Sequence, residues 1–287
     1  MSKVASSALN PLLVERLVHR ALDEDLGRAG DITSQAIINP DAEARVVIVS
    51  RQDGVIAGLP FVESAFQKLD ANIHIENEKS DGDTVSADTV ICRVEGYARA
   101  VLAAERVALN FLMHLSGVAT LTAAYAAEIA HTRARVCCTR KTMPGLRVAE
   151  KYAVRCGGGT NHRFGLDDAV LIKDNHIAIA GGVGAAVRSA RDHVGHLVKV
   201  EVEVDTLDQL KEALEAGPDA ILLDNMNPLE LAEAVAINSG RAVLEASGNI
   251  DLTTIRAVAE SGVDLISTSK ITMAAPTLDV GLDVEIG

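Results

Sequence analysis

LVKVEVEVDTLDQLKEALEAGPDAILLD, residues 197–224, decides the fold. It opens on a β-prone run in which valines alternate with charged residues (197–204). It continues through a helical stretch, TLDQLKEALEAG, and closes on a second strand, DAILLD (219–224). Hydrophobic period two gives way to period 3.6 and returns, which is the pattern of a strand, a crossover helix and a parallel strand. The rhythm extends both ways. Further β-prone runs stand at RVCC (135–138), DAVLIK (168–173), RAVLEA (241–246) and VDLIST (263–268), with helical material such as NPLELAEAVAINSG and DLTTIRAVAESG between later ones. Such βα units are expected to be right-handed, with parallel strands. About six of them without a GxGxxG turn favour an α/β barrel over a dinucleotide-binding sheet.

The first hundred residues lack this repeat. Leu12, Leu13, Leu17, Val18, Ala21 and Leu22 predict a helix over 11–26, begun by Pro11. GRAGDITS reads as a loop. Two strands follow within 42–58, then a short helix (PFVESAFQKL), an exposed strand (NIHIEN) and a strand with a glycine break (TVICRVEGYARAVL). This mixture predicts a separate α+β domain. Residues 100–131 read as helical, with Gly117 at a junction between two helices, and Arg106 and Asn110 share a face.

Composition limits the functions available. Apolar residues make up 48% of the 287, so a sizeable core is expected. With 2% aromatic residues and no tryptophan, that core is aliphatic. The net charge of -13 argues against a nucleic-acid surface. No run of 18 consecutive apolar residues predicts a membrane span, and the N-terminal stretch lacks the apolar segment of a signal peptide. Cys92, Cys137, Cys138 and Cys156 lack zinc-site spacing and read as free thiols of a cytoplasmic protein. Residues 99–173 hold 11 Lys or Arg against 5 Asp or Glu, a local +6 that leaves -19 for the remainder. A basic segment inside an acidic chain points to a focused anion site.

A barrel gathers its chemistry at the C-terminal ends of its strands. Those ends carry Arg140 and Lys141 of CCTRKTMPG, then Lys173-Asp174-Asn175-His176, Glu201 and Glu203, Asp224-Asn225, Ser247-Gly248, and Ser267-Thr268-Ser269-Lys270. NHR (161–163) falls between the first two. Cations suit a ligand with carboxylates. Carboxylates beside a polyphosphate need a divalent cation or ribose hydroxyls between them. Hydroxyl-glycine loops wrap phosphate with backbone N–H groups. Glu201 and Glu203 share one face of their strand. Either both face inward, or Glu201 lies deeper in a hydrogen-bonded network, or one of them balances Lys173 or Lys199, which alternation puts on the same face.

The chain resembles the quinolinate phosphoribosyltransferase family. The resemblance is carried by LDEDLGRAGDITS, AERVALNFLMHLSGVAT, TRKTMPGLR, KYAVRCGGGTNHRFGLDDAVLIKDNH, VEVEVDTLDQL, ILLDNM, LEASGNI and the tail LDVGLD, which together span nearly the whole chain. It implies an N-terminal α/β sandwich domain (1–114), an incomplete α/β barrel catalytic domain of about six parallel strands (115–276), and a C-terminal segment (277–287) returning to the N-terminal domain. It also implies Mg²⁺, 5-phosphoribosyl-1-pyrophosphate as co-substrate, and homodimers with shared active sites.

By the same resemblance, Arg106 would reach quinolinate across the dimer interface, while Arg140, His162 and Arg163 would hold the dicarboxylate. Lys173 would sit near the substrate ring or ribose C1, and Lys141 would contact phosphates. Glu203 and Asp224 would hold ribose hydroxyls and the metal, directly or through water, with Glu201 in support. Ser247 and Gly248 would bind the 5-phosphate. The family pattern of a glycine followed by THS is absent: STSKITM stands there. Three alternatives stand in its place: charge from Lys270, hydroxyls from Ser267 and Ser269, or backbone N–H groups alone. Three other readings are a relative acting on another aromatic acid, a barrel lyase using Lys173 as a Schiff base, and a metabolite-binding protein without turnover.

Overall fold

The computed structural model describes residues 9–285; residues 1–8 and 286–287, the two ends of the expected N- and C-terminal segments, lie outside the described residues. The chain forms two compact units. Of the described residues, one comprises 9–121, 148–158 and 275–285, and the other 122–147 and 159–274.

The first unit begins with α1 (Pro11–Leu26), where the Asn10 side chain accepts the Leu12 N–H at 3.0 Å. The missing N–H of Pro11 is harmless at a helix start. GDITS, expected as loop, instead forms α2 (Ile32–Ile37), because the Asp31 carboxylate caps the N–H groups of Thr33 and Ser34. β1 (Glu43–Ser50), β2 (Gly54–Val55), α3 (Leu59–Leu69), β3 (His74–Asn77), β4 (Thr84–Val85) and β5 (Val90–Tyr97) follow. β5 runs on through Gly96, where Ile73 fills the space a side chain would need. β2 and β4 pair separately. The main sheet is antiparallel with order β12-β1-β5-β3, its outer strand β12 (Val280–Val284) coming from the end of the chain.

α4 (Ala98–Glu128) is one unbroken helix, so Gly117 marks no junction. A Cβ at this position would lie 2.0 Å from the Pro276 carbonyl oxygen, and glycine is there to let the two backbones approach. By length and composition α4 could cross a bilayer, yet 61% of its apolar window is buried inside the protein. On α5 (Arg147–Cys156), buried Glu150 meets His114 of α4 at 2.8 Å, and Tyr152 donates to Asp81 at 2.6 Å. None of the four cysteines is in a disulfide. Burial pushes the Cys92 and Cys156 thiols up to about 12, so both are unreactive near neutral pH.

The second unit holds the βα series: β6 (Arg135–Cys137), β7 (Val170–Ile172), α6 (Asp174–Ala180), α7 (Val183–His193), β8 (Val200–Val204), α8 (Leu207–Ala216), β9 (Ala220–Asp224), α9 (Pro228–Asn238), β10 (Val243–Ser247), α10 (Ile255–Glu260), β11 (Leu265–Ser267) and α11 (Lys270–Met273). The six strands are parallel in the order β6-β11-β10-β9-β8-β7. β6 and β7 end the sheet without pairing to each other, which makes it the incomplete barrel the resemblance implies. Thr206 caps α8, and Asn227 with Glu230 forms a capping box on α9, so each strand passes into its helix at a defined point.

Strand alternation sets the site. Val200, Val202 and Val204 are fully buried on one face of β8, which leaves Glu201 and Glu203 on the other. Lys199 balances neither glutamate. It is exposed at the opposite end of the strand and pairs with Asp219 at 2.7 Å.

Candidate active site

A cavity of about 410 Å³ opens at the C-terminal ends of the six strands, and every strand contributes to it. Arg140 and Lys141 come from the turn after β6, Lys173 from the end of β7, and Glu203, Asp224, Ser247 and Ser267 from β8, β9, β10 and β11. His162 and Arg163 enter from the loop after α5. A neighbouring hollow of about 300 Å³ shares Lys141, Asp224 and Ser247 with it and adds Gly248, Ser269 and Lys270.

The cationic side is held by backbone contacts. Arg147 donates from Nη2 to the Arg140 carbonyl and from Nε to Thr142 Oγ1 at 3.1 Å. The Lys141 N–H donates to Thr139 Oγ1, and Thr272 donates to the Lys141 carbonyl. The threonines of TRKT therefore do position the two cations. Arg147 is a further clasp that spacing alone does not reveal. Arg163 donates from Nη1 to the Ala169 carbonyl at 3.1 Å. Burial and the nearby Arg140 charge hold its guanidinium below the ordinary arginine range. The Nε atoms of both Arg140 and Arg163 are buried without a hydrogen-bond partner. Two like charges with unanswered donors at one cavity wall call for an anion.

His162 is not free to act as a third cation. Its Nδ1 accepts the Arg163 N–H at 2.8 Å, and its Nε2 faces Glu201 Oε2 at 2.8 Å. Glu201 thus lies deep in a hydrogen-bonded network, and balances neither Lys173 nor Lys199. Glu203 holds Lys173 Nζ at 2.7 Å, while the Lys173 N–H donates to His176 Nδ1. Burial, and then repulsion from Asp205, push the Asp224 carboxyl up, against the pull of Lys173 and Lys141. Sequence reasoning missed Glu245, which lines the cavity with its side chain 2% exposed. The available signal was its place in LEAS, two residues before Ser247 and hence on the same face.

The hollow is built from tight backbone. Asn225, Gly248 and Asn249 all have positive φ, and the Asn225 N–H donates to the Ser247 carbonyl at 2.9 Å. A Cβ on Gly248 would lie 2.3 Å from Asn225 Oδ1. Lys270 reaches Asp251 at 3.2 Å on the rim. Arg106 is exposed beside Asn110 on α4 of the first unit and is not among the residues lining the cavity.

A parallel barrel whose strand ends present guanidinium groups, then carboxylates, then a hydroxyl-glycine loop defines an enzyme of anionic, phosphorylated small molecules. Its family is specific. Residues 118–283 match the C-terminal domain of quinolinate phosphoribosyl transferase, and residues 31–116 match its N-terminal domain. The chain belongs to the quinolinate phosphoribosyltransferase family. It is 40% identical to the probable nicotinate-nucleotide pyrophosphorylase (carboxylating) of Bacillus subtilis, over 97% of this chain and 96% of that protein. The structure of the nicotinate-nucleotide pyrophosphorylase from Francisella tularensis superposes with a TM-score of 0.93 at 42% identity, covering 97% of this chain and 98% of that one. The structure of NadC from Streptococcus pyogenes gives a TM-score of 0.94 at 40% identity, covering 98% of this chain and 100% of that one.

Proposed function

We propose that the chain transfers the phosphoribosyl group of 5-phosphoribosyl-1-pyrophosphate to quinolinate with decarboxylation, giving nicotinate mononucleotide, pyrophosphate and CO₂. The observation that carries this reading is the pair of buried, unpartnered Nε donors on Arg140 and Arg163 at one cavity wall, in a chain of this family. Planar guanidinium groups suit a rigid ring dicarboxylate better than ammonium groups do. They fix the ring so that its nitrogen faces ribose C1. His162 acts by anchoring the Arg163 backbone, with Glu201 behind it.

Lys141 stands where the cavity meets the hollow and offsets charge growing on the departing pyrophosphate. Glu203 and Asp224 take the ribose hydroxyls. Lys173, held by Glu203, keeps positive charge beside the ring. Ser247, Gly248, Ser269 and Lys270 receive phosphate, with backbone N–H groups at the Gly248 turn too crowded for any side chain. Once the ring nitrogen is quaternary it accepts the electron pair left by the departing carboxylate, and no covalent protein nucleophile is required.

Oxygen donors of this kind fit Mg²⁺. Asp224 lines the cavity beside a second carboxylate, Asp205, and Glu203 lies on the neighbouring strand. These two residues would hold the ion, directly or through water, and it would neutralise pyrophosphate oxygens. Lys173 Nζ is engaged in an ion pair and is not presented as a free amine, which weighs against a Schiff-base lyase. Cysteines kept as thiols suit a reducing compartment, and we place the enzyme in the cytoplasm.

The test is product formation with purified protein, donor and Mg²⁺. Nicotinate mononucleotide is expected from quinolinate and not from nicotinate; no product with quinolinate would sink the reading. Arg106 is assigned to the cavity of the second copy in a homodimer. Mixing Arg106→Ala and Arg140→Ala chains should then restore about a quarter of the wild-type activity per dimer, because one of the two shared sites is intact in each of the half of dimers that are mixed. Mixed dimers without recovered activity would place the whole site within one copy.

A further inference from the structure

Glu245 has no part in the roles assigned above, yet it lies on the cavity floor with its side chain 2% exposed and its Oε1 without a hydrogen-bond partner. The groups around it come from several elements. β8 brings Glu201, and the loop after α5 brings His162 and, further up the wall, Arg163. The Ser267 hydroxyl of β11 hydrogen-bonds the carboxyl, and the Cys138 thiol lies close by after β6. β9 and β11 place Leu222 and Leu265 at its level.

The ligand atoms of His162, Glu201 and Glu245 lie within 4.8 Å of one another, a spacing that a metal ion could also use. The tautomer of His162 argues otherwise. A backbone N–H can only donate, so Nδ1, which receives it from Arg163, carries a lone pair. The ring proton therefore sits on Nε2, which points at Glu201 Oε2 and lies 3.8 Å from Glu245 Oε1. A protonated nitrogen cannot ligate a cation. The three side chains form a proton-sharing group.

Two ionised carboxylates beside a neutral imidazole, both nearly dry, would repel each other at high cost. One of them holds a proton. Glu201 already receives the Nε2–H, whereas Glu245 Oε1 receives nothing. Burial, and then the charge of Glu201, push the Glu245 carboxyl up to about 7. Its hydroxyl then needs an acceptor, and the protein offers none at Oε1.

We propose that Glu245 enters the reaction as a neutral carboxylic acid that donates a hydrogen bond from the cavity floor to the bound aromatic dicarboxylate. This rests on quinolinate as the acceptor bound there. It makes quinolinate affinity depend on one proton held by the protein, while the phosphoribosyl donor, bound at the other side, does not share that dependence. Ionised Glu245 would instead set a negative charge against the anion.

Three proteins decide it: the wild type, Glu245→Gln and Glu245→Ala, each first checked for an intact thermal transition. KM for each substrate is measured from about pH 6 to about pH 8.5. In the wild type, KM for quinolinate should rise by roughly tenfold per pH unit once the competent, protonated fraction falls, with the donor's KM changing far less. Glu245→Gln keeps an N–H donor and cannot ionise, so its quinolinate KM should stay flat and fall about tenfold or more below the wild type at the alkaline end. Glu245→Ala should be raised at every pH. A Glu245→Gln profile that follows the wild-type rise overturns the proposal. Infrared difference spectra near pH 6 give a readout independent of turnover: the wild type should show the C=O band of a protonated carboxyl that Glu245→Gln lacks. Absence of that band overturns the proposal even in an enzyme that converts quinolinate normally. So does Co²⁺, titrated as a probe, giving an imidazole-ligand spectrum that Glu245→Gln abolishes.

Discussion

Arg140→Ala lowers kcat/KM for quinolinate by about 30- to 5000-fold, the range that follows from the roughly 2–5 kcal/mol lost when one partner of a buried, hydrogen-bonded charge pair is truncated. The loss falls on quinolinate because the Arg140 Nε is buried with no protein partner and has only a ligand to meet. Arg140→Lys recovers little, since an ammonium cannot reproduce the planar pair of donors. Thermal stability should not fall. Arg140 and Arg163 are like charges at one wall, and removing one relieves the repulsion that adds to burial in holding Arg163 below the ordinary arginine range. Steady-state kinetics with each substrate varied in turn, together with a melting curve, checks this. Equal losses for both substrates accompanied by a lower melting temperature would mean that Arg140 supports the fold and not the acceptor.

Gly117→Ala should be the most damaging small substitution in the first unit. The added Cβ would meet the Pro276 carbonyl oxygen at 2.0 Å and the Thr277 Cα at 3.0 Å. Both are backbone atoms and cannot rotate aside. The next turn of α4 is tied to the same segment, because the Leu278 N–H donates to the Met113 carbonyl at 3.0 Å. Overpacking of this kind costs roughly 3 kcal/mol. For a protein of this size that lowers the melting temperature by about 6–12 °C. Limited proteolysis should at the same time find the segment after Ala274 cut sooner than in the wild type. A melting temperature within about 2 °C of the wild type would show that the backbone yields at little cost.

The barrel was legible because each of its parts announces itself locally. VEVEV alternates, the following helices carry Thr206 and Asn227 caps, and polar residues end one strand after another. The site was legible for the same reason, since the C-terminal ends of parallel strands must converge. What sequence hid depends on partners distant in the chain. Gly117 looks like a helix break until Pro276 is placed against it. Alternation put Lys199 on the face of Glu201 but could not say that it sits at the far end, beside Asp219. His162 reads as a cation among cations until the Arg163 N–H occupies its Nδ1. Glu245 is concealed between Leu244 and Ala246 in what reads as an ordinary apolar strand. The helix at Ile32–Ile37 is a different case, for its Asp31 cap was in view and the glycines beside it outweighed the cap.

The discontinuity of the first unit bears on how the chain is made. β1 pairs with β5 on one side and with Val280–Val284 on the other. During synthesis from the N-terminus, that second edge of β1 stays open until Val280–Val284 has left the ribosome. The barrel unit, by contrast, has its full complement of chain by residue 274. The unit whose strands are translated first is therefore completed after the barrel unit, with an unpaired strand edge exposed while the barrel is made.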